Sequence, residues 1–212
     1  MLPTDGTAHT MDVMLEIAER NGDLRSFRLT RFVDRPPRSI TLDGRKYFWL
    51  YVSPPEELLS SLLSMRDESL GEKDGSLIGL TSFVRRKDGY HAHIPLLDFE
   101  TPVSDEALVL IREKFKTIMR EARSGKATPG YLLVSGECYH YIGLELLSQE
   151  EWLEFMGLAL LFEDDADPNR FSPVDRRWVG YSLRRGLSTL RIFSGEKLLQ
   201  PRPEPYVVAF IE

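Results

Sequence analysis

The chain has 212 residues, 42% of them hydrophobic, which is enough for one substantial core and too few for several large ones. Its longest apolar stretches, 157–162 and 206–211, fall far short of the roughly 20 residues a bilayer span needs, the first residues lack the basic start and apolar core of a secretion signal, and the single Cys138 rules out an internal disulfide or a cysteine-rich zinc site, so a cytoplasmic protein with no membrane partner is expected. Net charge is −6, yet residues 127–169 hold nine acids and no Lys or Arg, leaving basic stretches at 20–46, 110–126 and 170–197 that can line a cationic groove.

Residues 1–10 carry Gly, Pro and Thr without periodicity and read as a flexible tail, ahead of one domain over 11–212. From Met11, the residues Val13, Met14, Leu15 and Ile17 fall at helical spacing, and Asn21-Gly22 ends the helix. Residues 26–33 alternate polar and apolar, and 39–53 reads as a hairpin turning at Asp43-Gly44. Leu58, Leu59, Leu62 and Leu63 stripe a helix over 55–65. A strand over 76–86, a turn at Lys87-Asp88-Gly89 and a strand over 90–100 form a second hairpin, whose far end carries Asp98-Phe99-Glu100.

Residues 102–123 predict a helix with Leu108, Ile111, Phe115, Ile118 and Met119 on its buried stripe. Arg112, Lys116, Arg120 and Arg123 line another face, a candidate surface for nucleic-acid phosphates. Residues 130–147 give two strands about Ser135-Gly136, and Ser148 with Glu151 forms a capping box opening a helix over 149–161. Asp175 precedes a short helix through Leu183, followed by a turn at Arg185-Gly186, a strand over 187–193 and a closing strand over 206–210. Hairpins interleaved with helices, without regular βαβ alternation, predict an α+β fold with mixed, largely antiparallel sheets flanked by helices.

In a regular strand Asp98 and Glu100 face the same way, with Cα atoms about 7 Å apart, so both carboxylates can grip one pair of cations. Hard oxygen ligands favour Mg²⁺ or Mn²⁺ over zinc. Taken singly, Asp175 also suits a helix N-cap, and His140, in step with Ile142 and Leu144, suits a hydrogen-bonded core histidine. The order of the three segments resembles the archaeo-eukaryotic primase superfamily: an acidic pair, here LLDFE; a Ser-Gly segment ending in His, here SGECYH; and a later acid after an apolar residue, here PVD. The resemblance implies a primase-polymerase-like catalytic core in which Asp98, Glu100 and Asp175 hold two Mg²⁺ or Mn²⁺ ions, while Ser135, Gly136 and His140 meet the triphosphate of an incoming nucleotide. Arg191 and Lys197 resemble the basic residues that follow the third acid and contact phosphates. The implied activity is metal-dependent nucleotidyl transfer to a DNA or RNA 3′ end on a template, with a partner protein in a replication, repair or defence system.

Two features open other readings. Glu100 stands where Asp is commoner, and Glu137 and Cys138 fill turn positions often held by small or basic residues, which leaves room for a catalytically inactive nucleic-acid-binding module of the same fold. His91-Ala92-His93 suits a metal hydrolase, although strand alternation turns these rings away from Asp98 and Glu100 unless a bulge intervenes.

Overall fold

The computed structural model describes residues 1–33, 45–71, 76–119, 129–162, 173–193, 195–197 and 200–212. In chain order the first half contains α1 (Thr10–Arg20), β1 (Leu24–Val33), β2 (Lys46–Tyr51), α2 (Pro55–Gly71), β3 (Ser76–Arg86), β4 (His91–His93), β5 (Leu96–Asp98) and α3 (Asp105–Met119). The second half contains β6 (Gly130–Ser135), β7 (Cys138–Gly143), α4 (Gln149–Ala159), α5 (Arg176–Arg185), β8 (Thr189–Arg191), β9 (Gly195–Lys197), β10 (Gln200–Arg202) and β11 (Tyr206–Ile211). The fold is α+β, and every described strand pair is antiparallel.

One sheet has the order β2-β1-β3-β4, with β8 also on β3; a second has the order β11-β6-β7-β5; and β9 and β10 pair as a small two-stranded sheet. β3 is long enough to serve two partners on one edge, Gly79 to Thr81 pairing β8 and Phe83 to Arg85 pairing β4. β6 is buried at every position because the second sheet is covered on both faces. Its Tyr131 and Leu133 join a core with α1, α2 and the inner face of the first sheet, where Phe27, Leu29 and Leu80 lie. Its Leu132 and Val134 face a second core with Ile111 and Phe115 of α3 and Trp152 and Phe155 of α4. Two-sided burial explains why this hairpin reads as nearly continuous apolar sequence rather than strict alternation.

Several expectations change. The stretch 90–100 is two strands, not one: β4 pairs β3, and β5 pairs β7 of the other sheet. Pro95, with no N–H to extend the β3 ladder, stands at the crossing, and its carbonyl accepts from Gly143 N at 2.8 Å. Residues 1–10, expected as a flexible tail, lie against the body: Leu2 N donates to the Tyr131 hydroxyl at 2.7 Å, Val207 N donates to Ala8 O at 2.8 Å, and Ala8 is buried. Burial pushes the Tyr131 hydroxyl up to about 12, with Leu2 and Glu16 as its partners. The expected turn at Asp43-Gly44 and the end of the 102–123 helix lie outside the described residues.

Candidate active site

The register of the second sheet builds the site. Asp98 of β5 stands opposite His140 of β7, and His140 stands opposite Leu133 of β6, two residues before Ser135. Alternation therefore turns Asp98, His140 and Ser135 to one face. Asp98 Oδ1 lies 3.5 Å from His140 Nε2, an ion-pair distance when the ring is protonated. The hairpin turns at Gly136, whose φ of 74° is the left-handed conformation that favours glycine.

Asp175, far off in sequence, arrives beside Asp98 through a bridge between Phe99 and Val174. Asp175 N donates to Asp98 O and Glu100 N to Pro173 O, both at 2.9 Å. Phe99 and Val174 are buried on one side of this bridge, so Asp98, Glu100 and Asp175 take the other. The Asp175 side chain is also the N-cap of α5, its Oδ1 accepting from Trp178 N at 2.9 Å. Among the described residues no three His, Cys, Asp or Glu side chains are gathered closely enough to form a ready-made metal cluster.

Asp98 and His140 open into a cavity of about 630 Å³ lined by residues of both sheets. Its wall carries the carboxylates of Asp98, Glu100 and Glu137 together with Ser135, Gly136 and His140 from the second sheet. Arg45, Arg185 and Arg191 bring three guanidiniums from the start of β2, the end of α5 and β8. Arg191 is fixed: Nη1 donates to the carbonyls of Pro203 and Phe193 at 2.8 and 3.2 Å, and Nη2 donates to Ser135 Oγ at 2.9 Å. The fold thus couples Ser135 and Arg191 directly.

Arg45 and Arg185 are new. The Arg45 guanidinium rests on the Phe32 ring at 4.8 Å, and burial, then the nearby charge of Arg185, lower its pKa from the ordinary range. Arg45 Nη1 and Arg185 Nε are buried with no hydrogen-bond partner among the described residues. A buried, unsatisfied guanidinium N–H is costly, and an anion in the cavity relieves it. Their basic stretches, 20–46 and 170–197, were visible in the sequence; which arginines turn inward was not.

Other expected residues lie elsewhere. Arg112 and Lys116 sit on α3, which packs on the far face of the second sheet, and neither lines the cavity. Arg120, Arg123 and the Lys197 side chain lie outside the described residues. His91 is exposed and stacks on Phe83 at 4.4 Å, whereas His93 is buried between Ser82 Oγ at 3.1 Å and Gln149 Oε1 at 3.0 Å. With both ring nitrogens of His93 engaged inside the core, the His-x-His pair has no geometry for a shared metal.

The family model described as AEP-like, archaeo-eukaryotic primase 1D-like, matches residues 58–203, well over half of the chain. No curated protein and no solved structure gives a match.

Proposed function

Because the chain belongs to the archaeo-eukaryotic primase-like family, we propose that the cavity is a nucleotidyltransferase site of primase or polymerase type, adding nucleotides to a DNA or RNA 3′ end on a template. One observation carries the reading: a single cavity is lined both by the acidic pair, Ser135 and His140 and by three guanidiniums. A nucleoside triphosphate with its divalent cations needs carboxylates and phosphate-binding cations within one ligand's length.

The donor set fits Mg²⁺ or Mn²⁺. Asp98 and Glu100 offer hard carboxylate oxygens at the cavity wall, whereas Asp175 does not line the cavity and its Oδ1 is engaged by the helix cap. Two such ions, when bound, supply neutralisation of the charge on attacking and leaving oxygens. The protein's own part is positioning. Arg191, locked by two carbonyls, presents Ser135 and its own charge to the phosphates, while Arg45 and Arg185 line the same space. His140 beside Asp98 pairs with and steadies the carboxylate when protonated.

Mn²⁺, labelled nucleotides and a primed template test this reading. The wild type is expected to extend the primer, and Asp98→Ala to lower the rate at least ~10³-fold while still binding the strand. A wild type that binds but never extends under Mg²⁺ or Mn²⁺ ends the catalytic reading. The engagement of Asp175 as a helix cap would then favour the non-catalytic nucleic-acid-binding module.

A further inference from the structure

The outward face of the first sheet is built unlike an ordinary solvent face. On β2, Phe48 and Leu50 turn to the core, while Tyr47, Trp49 and Tyr51 turn outward, Tyr47 being 39% and Tyr51 53% exposed. Arg28 lies over Tyr47 at 4.2 Å and also reaches Trp49 and Phe83, Arg85 lies over Trp49 at 4.5 Å, and Arg25 over Tyr51 at 5.9 Å. Cation–π pairs are sparse in folded proteins, about one per 70–80 residues, yet here three arginines make theirs on one sheet face. No described carboxylate pairs with Arg25, Arg28 or Arg85, so three guanidiniums keep their charge uncompensated on an acidic protein.

We infer that this face binds single-stranded nucleic acid and leads it to the cavity. Same-side residues along a strand recur every 6.6–6.8 Å or so, which sets Tyr47, Trp49 and Tyr51 in a row of ring faces for successive unpaired bases. Arginine planes stacked on those rings extend the platform, and their N–H edges meet the backbone phosphates. The row runs into the site: Arg45, in step with Tyr47 just before β2, lies on Phe32, and both line the cavity wall. Periodic rings with uncompensated positive charge suit a flexible polyanion carrying flat apolar groups better than an acidic polypeptide, which has the charge without the rings. The proposal goes beyond the nucleotidyl-transfer reading and holds or fails without it, because binding is read with neither nucleotide nor metal present.

The test is fluorescence anisotropy with labelled oligothymidylate, a strand without base pairing, at several salt concentrations. Trp49→Ala is expected to weaken binding about 5- to 150-fold and Trp49→Phe to restore most of it. Arg28→Ala should flatten the slope of log affinity against log salt by about 0.7. The inference is overturned if the wild type does not bind at low salt, or if Trp49→Ala binds unchanged. It is also overturned if duplex DNA or polyglutamate competes as well as the single strand, or if affinity follows Arg112→Ala and Lys116→Ala instead.

Discussion

His93 shows how a tertiary setting decides the chemistry of one side chain. Its ring stacks on Trp152 at 4.6 Å and its nitrogens meet Ser82 and Gln149, so desolvation drops its pKa from 6.5 to about 4 despite the Gln149 hydrogen bond. The unfolded chain takes up a proton near 6.5 and the native chain only near 4. Stability is therefore full above pH 6.5 and falls as pH drops toward 4, by about 3 kcal/mol from this residue. Urea unfolding of wild type and His93→Gln between pH 4 and 7 checks it: the stability gap between them should narrow by that amount toward acid, and a constant gap refutes it. The His-x-His spacing gave no warning of this, because a three-residue strand can be exposed at one histidine and sealed at the next. Asp98 and His140 were readable, since strand alternation and motif order both point to them. Arg45 was not, since inward rotation of one arginine among several depends on Phe32 and Arg185, distant in sequence.

At the level of elements, local signals did well where one short segment holds all the information. The Ser148 and Glu151 capping box is formed at both bonds, 3.2 and 2.7 Å, and Gly136 turns the β6–β7 hairpin where expected. The division of 90–100 into two strands escaped periodicity because Ile94, Pro95, Leu96 and Leu97 form an unbroken apolar, buried run through which the partner strand changes. Helix α5 poses the sharper question, since Asp175 is at once its N-cap and a neighbour of Asp98. Asn caps as well as Asp but carries no charge. Asp175→Asn should thus keep the melting temperature yet lose most nucleotide incorporation, whereas Asp175→Ala should lose both activity and about 1 kcal/mol of stability. Full activity in Asp175→Asn would reduce this residue to a cap.

At the level of the whole molecule, hairpins interleaved with helices were sufficient to indicate α+β, and segregated charge indicated a cationic groove, but neither said which groove. That depends on how two sheets share one core, with Leu29 and Leu80 of one packed with Leu133 and Ile142 of the other, so that residues of both line one cavity. No described helix is long and apolar enough to cross a membrane. A ligand bridging both sheets should stabilise the fold as a unit, because binding to the native state alone adds about 2.7 kcal/mol at a hundredfold excess over Kd. For a chain of this size that is a rise of roughly 5–10 °C in melting temperature with nucleoside triphosphate and Mn²⁺. If Arg45 and Arg185 face the phosphates, Arg45→Gln and Arg185→Gln should each shrink the rise at fixed ligand concentration, even where the ligand-free variant melts at or above the wild type. Such a gain without ligand follows from removing a buried, unsatisfied guanidinium. An undiminished rise in both variants would mean that the phosphates lie against Arg191 and Ser135 alone.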